Sequence, residues 1–448
     1  MKNRTEYLII SIISIFFSLY ITEGYLTYQQ AQNYKNYKKE TGKNYDKRKR
    51  IEVYEDRKKI NKEVKMRVSP YNFYIDVNRD YKLYPLSGVS NSETVYCNEN
   101  GYYFIFQSDR YGFNNPDTEW NIKEIEYLLV GDSFTMGACV NRPDDIGSQL
   151  RKLSNKSALN LGYAGNGPLI NLATLKEYLN PNVKEVFWFH FEGNDLLDFT
   201  DELKNKILRN YLNDLNFSQN LKEKQKELDI VINLKLENTV LERDKNNKYS
   251  IDREKKIKKE IVKEIAKESL SYQLINFIKL SQLRNRKIIN FLKNGIARND
   301  RLKSDALKYF AQKRGGKTYY ELIMEGSLTM PSRFEPFIDE YVAQLPVEFR
   351  KLLEMVQKLT VKNGSKLYFV YLPEHERYRN EGYKGQTIFY SSIKNIINKL
   401  EIPFIDIHEE VFKKENDPLK LFPFKLSGHY NAEGYAKIAE ILYKYTAD

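Results

Sequence analysis

Ile125-Glu126-Tyr127-Leu128-Leu129-Val130-Gly131-Asp132-Ser133-Phe134-Thr135-Met136-Gly137 decides how this chain is read. Its first six residues are an apolar run closed by turn-forming residues, the pattern of a buried strand. Pro143, Asp144 and Asp145 follow and open a helix through Leu153, with Ile146, Leu150 and Leu153 on one face. A polar residue between a strand end and a helix sits at the carboxyl edge of an α/β sheet, where such sheets hold ligands. Ser133 is that residue. An aliphatic hydroxyl is a poor nucleophile alone, so a chemical role needs a base and oxyanion donors from elsewhere. Asp132 and Ser133 also suit a plain turn, and the remaining chain has to decide.

The alternation repeats downstream. Ser157–Leu161 predicts a second strand, ending in Gly162-Tyr163-Ala164-Gly165-Asn166-Gly167-Pro168, and a helix with Leu172, Leu175 and Leu179 follows. Val186–Phe191 predicts a third strand, apolar enough to be buried on both faces, running into Glu192-Gly193-Asn194-Asp195. Further on, Pro346 opens a helix with Phe349, Leu352, Leu353, Val356 and Leu359 on one face, and Gly364 stops it. Lys366–Leu372 is a fourth strand. A helix with Ile393, Ile396, Ile397 and Leu400 leads to a fifth, Pro403–Ile407, and a helix from about Asn431 closes the chain. Strands alternating with helices predict an α/β fold, a parallel sheet of about five strands covered on both faces.

The segments around this core differ in texture. Residues 1–24 read as a signal anchor: Met1-Lys2-Asn3-Arg4 precede the charge-free Tyr7–Ile21, and no small-x-small cleavage site follows. Lys2 and Arg4 favour the amino end inside and the bulk outside, whereas the basic segment Lys35–Arg67 argues the other way. Residues 25–67 read as a basic, solvated stalk. Residues 68–121 read as an aromatic β-rich subdomain, with strands at Tyr71–Val77 and Tyr102–Phe106. Residues 203–335 read as a helical insertion that buries little against the sheet, so the α/β domain comes in two parts, 122–202 and 336–448. Net charge is +12. The lysines are spread along the chain with no phosphate loop, zinc spacing or RNA-binding signature, so no nucleic-acid partner is expected. Cys97 and Cys139 suffice for one bridge if the domain is exported.

Three strand ends offer groups that can converge. Adjacent parallel strands set their carboxyl-end loops side by side, bringing together Ser133, Gly165 and Asn194. Gly165 lets a substrate oxygen approach its N–H closely; the Asn194 amide and the Ser133 N–H are further donors for an oxyanion. Of four histidines, His190 lies inside an apolar strand and reads as a satisfied core residue, and His375 and His408 follow strands. His429, at the entrance of the last helix, is the preferred base.

These blocks resemble those of the SGNH (GDSL-like) hydrolases: Gly131–Gly137 as the first, Asn160–Pro168 as the second with Gly165, Glu192–Asp195 as the third with Asn194, and Gly428–Tyr435 as the last with His429. The resemblance implies a flavodoxin-like three-layer sandwich and ester chemistry without metal or cofactor. Ser133 would be the nucleophile, and an acylated glycan or lipid at a membrane the substrate. One position departs from the pattern. The family usually has Asp three residues before its histidine, and here Leu426 stands there. His429 is therefore expected to lean on a backbone carbonyl, with a distant acid as the alternative. The reactions considered are ester hydrolysis, acyl transfer to a surface polysaccharide, and glycan binding without catalysis.

Overall fold

The computed structural model describes residues 2–74, 83–238, 313–314, 317–318, 346–379, 387 and 389–447. The chain divides into two compact units, one beginning with residues 2–45 and the other holding the described residues 46–236 and 346–447. In the first, α1 (Lys2–Thr41) contains the apolar stretch Tyr7–Ile21. Most side chains of that stretch lie outside the described residues, and among the described residues no helix is long and apolar enough to cross a membrane. Tyr45 turns back on the end of α1, its ring 4.5 Å from that of Tyr34.

The second unit begins with α2 (Arg50–Ile60), β1 (Lys65–Met66), α3 (Tyr71–Tyr74), β2 (Glu93–Val95) and β3 (Ile105–Gln107). β1 pairs parallel with β2, and β3 antiparallel with β2. The expected solvated stalk therefore ends well before Arg67. Val53, Tyr54, Val64 and Met66 are buried, and the Arg57 guanidinium donates to Glu93 at 2.5 Å. Asn98 Nδ2 donates to the Asp46 carbonyl at 2.7 Å. A few apolar side chains and two-sided polar contacts fix a segment whose composition is mostly charged. Tyr71–Tyr74 is a helical turn instead of a strand, because the Asn72 and Phe73 N–H groups bond back to Ser69 and Pro70; residues 75–77 lie outside the described residues. The aromatic alternation at Tyr102–Phe106 becomes β3, displaced toward Gln107.

The α/β core follows in the expected order. It runs through β4 (Ile125–Val130), α4 (Ser133–Met136), α5 (Ile146–Ser154), β5 (Ala158–Asn160), α6 (Pro168–Tyr178) and β6 (Val183–Phe191). α5 starts three residues after Pro143 because the Asp145 side chain accepts the Ser148 N–H and caps it. Next come α7 (Asp195–Glu202), α8 (Lys206–Asn213) and a two-strand hairpin, β7 (Lys313–Arg314) with β8 (Lys317–Thr318). α9 (Val347–Asn363), β9 (Lys366–Leu372), α10 (Tyr390–Lys399), β10 (Phe404–Asp406) and α11 (Ala432–Thr446) complete it. The start of the expected insertion packs on the helix layer. α8 lies on α6 with Leu208, Tyr211 and Leu212 buried, and Glu177 of α6 accepts the N–H groups of Gln219 and Leu221 at 2.6 and 2.9 Å. Residues 225–238 are helical, and residues 239–312 lie outside the described residues.

The five parallel strands lie in the order β10-β9-β6-β4-β5. Numbered along the chain, that is 2-1-3-4-5, so the chain reverses its winding direction between β4 and β6. One face packs Tyr127, Leu129, Phe187 and Val370 against Ile146 and Leu150 of α5 and Ile438 and Leu442 of α11. On the other face His190 meets the Phe349 ring of α9. Each fully buried aliphatic or aromatic side chain contributes about 1.5–3 kcal/mol. The crevice outside the strand ends at a winding reversal is the favoured ligand position in such sheets. Ser133 follows β4 and Asn194 follows β6, one on each side of it.

Candidate active site

Ser133 is the first residue of α4, a single turn capped at both ends. The Asp132 carboxylate accepts the Phe134 N–H at 2.9 Å, and Gly137 closes the turn in the left-handed region at φ 73°. Ser133 Oγ lies 3.4 Å from Asp132 Oδ2. The neighbouring Phe134 ring stacks on Phe191, at the end of β6, at 3.8 Å and lies 4.7 Å from the His429 imidazole. The Ser133 turn, the end of β6 and the last block are thus packed into one place.

His429 does not rest on a backbone carbonyl. Its Nδ1 lies 3.0 and 3.1 Å from the two oxygens of Glu99, and its backbone N–H donates to Glu99 Oε2 at 2.6 Å. The acid comes from the loop between β2 and β3, in the segment read as a separate subdomain. Leu426 is 42% exposed and takes no part. Burial works against charge at His429, but the Glu99 carboxylate and hydrogen bonds outweigh it and hold the imidazole above the ordinary histidine range. Burial likewise opposes the Glu99 charge, and His429 holds its carboxyl below the usual range. The loop is tied down covalently: Cys97 is bonded to Cys139, six residues after Ser133, with Cα atoms 5.3 Å apart. Asn100 Nδ2 adds a hydrogen bond to the Cys139 carbonyl at 2.9 Å. Sequence reasoning missed Glu99, although pairing Cys97 with Cys139 would have placed Glu99 beside the Ser133 turn.

Gly165 stands at φ 87°, and a Cβ there would fall 2.0 Å from Ser69 Oγ, so only glycine fits. Its loop is fastened to the Ser133 turn through Asn160 Nδ2, which donates to the Thr135 carbonyl at 2.7 Å. Asn194 occupies the N-cap position of α7 but makes no side-chain cap. Its Nδ2 instead donates to Asp198 at 2.5 Å, which holds the amide while leaving its second hydrogen. Burial and the nearby Asp132 charge push the Asp198 carboxyl up to about 7. Asp132 itself is pushed up to about 6 by burial, against the pull of His429.

The other histidines have different surroundings. His190 is buried in β6 as expected, yet its Nδ1, 3.3 Å from Asp195, makes no hydrogen bond, and burial pushes it down to about 3. It is a core residue but not a satisfied one. His375 Nε2 is 3.1 Å from the Lys425 carbonyl, and His408 Nδ1 is 2.7 Å from the Tyr378 hydroxyl. A cleft of about 740 Å³ opens along the edge strand β10, lined by residues such as Lys394, Asp406 and Glu409, and includes none of the site residues above.

No known family and no curated protein matches this chain. Among the solved structures similar to this chain, one matches over 72% of this chain and 95% of its own, at 10% identity and a TM-score of 0.30. A likeness of that size carries no argument about fold or function.

Proposed function

We propose that this chain is a serine esterase of the SGNH (GDSL-like) kind, with a flavodoxin-like core, that removes acyl groups from an acylated envelope glycan or lipid. The observation that carries the reading is the Glu99 carboxylate on His429 Nδ1, beside the Ser133 turn at the winding reversal of the sheet. Glu99 fixes the tautomer that leaves His429 Nε2 free to take the Ser133 proton, and it stabilises the imidazolium that results. Ser133 Oγ then adds to the ester carbonyl, and the developing oxyanion is met by the N–H groups of Ser133 and Gly165 and by the Asn194 amide. His429 returns its proton to the leaving alcohol, and water repeats the sequence on the acyl-enzyme. In this reading the apolar stretch Tyr7–Ile21 anchors the chain in a membrane with the catalytic unit outside, and the Cys97–Cys139 bond suits such an oxidising compartment.

The test is a fluorophosphonate probe on the full chain, followed by a panel of acetylated glycans and acyl lipids. Wild type should be labelled and Ser133→Ala should not. Equal labelling of the two, or none of wild type, removes the esterase reading. Ester turnover that requires an added sugar acceptor would make the protein a transferase instead.

A further inference from the structure

Arg67 stands at the end of β1, its backbone N–H continuing the pairing with β2 through the Val95 carbonyl at 3.0 Å. Its guanidinium lies over the Tyr96 ring at 4.3 Å and donates through Nη1 to the Ala164 carbonyl at 2.6 Å, one residue before Gly165. Nη1 is 3.9 Å from where a Cβ on Gly165 would sit. A guanidinium has five N–H donors, and among the described residues this side chain uses one. Its Nε is buried without a hydrogen-bond partner, and no carboxylate of the described residues forms an ion pair with it.

A cation here without an ion pair among the described residues is chemically odd. His429 must become cationic as Ser133 attacks, and the Arg67 charge opposes that. The cost disappears if the substrate brings a negative charge of its own. Arginine presents a planar fork that matches a carboxylate or a phosphate in two parallel hydrogen bonds. Resting on the esterase reading of the same site, we propose that Arg67 is a specificity residue that binds an anionic oxygen group, carboxylate or phosphate, next to the scissile ester. The substrate class is then an acylated acidic glycan or a phosphate-bearing one, in preference to a neutral polysaccharide.

Three aryl acetates of similar size test this: 3-carbamoylphenyl, 3-carboxyphenyl and 3-phosphonooxyphenyl acetate. Wild type should prefer at least one anionic ester over the neutral one by about tenfold or more in kcat/KM, the scale of one charge-assisted contact. Which anionic ester wins separates carboxylate from phosphate. Arg67→Gln should bring the ratio to about one, and Arg67→Lys should restore part of it. No anionic preference in wild type, or a preference that survives Arg67→Gln, overturns the proposal. A second reading needs no turnover. Benzoate or phenyl phosphate, but not benzamide, should raise the melting temperature of wild type and leave that of Arg67→Gln unmoved. Charge-dependent stabilisation without ester hydrolysis would sink the esterase reading and, with it, the specificity role, leaving Arg67 only as an anion-binding residue. No Arg67-dependent stabilisation by either anion overturns this one whatever the turnover.

Discussion

Replacing Glu99 by glutamine keeps the side chain's shape and removes its charge from His429. The carboxylate oxygens lie 3.0 and 3.1 Å from Nδ1, so the charge centres are about 4 Å apart. At an effective dielectric near 20 a pair at that distance interacts by about 4 kcal/mol. The side chains of His429 and Glu99 are 15% and 29% exposed, so solvent screens part of this. About 3 kcal/mol remains, a factor of roughly 10² in rate. Loss of the acid from a fully enclosed triad costs about 10⁴. The second-order rate of fluorophosphonate labelling of Ser133 should therefore fall by about 10²–10³ in Glu99→Gln, whatever the natural substrate. The pH profile gives a second check. His429 acts as a base only when neutral, and Glu99 holds it above the ordinary 6.5. Labelling of wild type should rise with pH through a midpoint above that value, and in Glu99→Gln the midpoint should move down. A loss under about fivefold with an unmoved midpoint would refute the role given to Glu99.

Three further outcomes follow from the same geometry. Asn194→Ala should lower kcat by about 10²–10³ with little change in KM, as loss of an oxyanion donor does; a normal kcat would return Asn194 to orienting α7. Leu426→Asp should change kcat by less than about threefold, because Glu99 already occupies Nδ1, and a large gain would mean that Glu99 does not serve in solution. Replacing Cys97 and Cys139 by serine opens a loop spanning 42 residues, worth about 4 kcal/mol in chain entropy. Denaturant melts should show a loss on that order, and labelling should slow because the Glu99 loop is less well held; unchanged melts would contradict it.

The sheet was legible because its strands are apolar runs buried on both faces and separated by well-marked turns. Ile125–Val130 and Lys366–Leu372 match their expected bounds, and Val183–Phe191 extends farther back only because Lys184 and Glu185 hide its first turn of pairing. Ser133, Gly165, Asn194 and His429 could be singled out as candidates because each sits at or next to a strand or helix boundary. Contacts between residues far apart in the chain leave no such periodic trace. Glu99 is 330 positions from His429, and Arg67 lies in a run of charges that local reading assigns to solvent. The packing of Val53, Tyr54 and Met66 was hidden for the same reason.

Because the Glu99 loop is bonded to the Ser133 turn through Cys97–Cys139, the molecule cannot be dissected at the apparent start of its α/β domain. A fragment from Ile122 onward would retain Ser133, Gly165, Asn194 and His429. It would lack Glu99, Arg67 and Cys97, and would carry Cys139 as a free thiol beside the His429 imidazole. Expressed alone, it would carry each residue of the proposed hydrolase that its own length can show and, on that reading, lack the carboxylate that supports His429. The compact unit that holds both halves of the tether begins at Asp46.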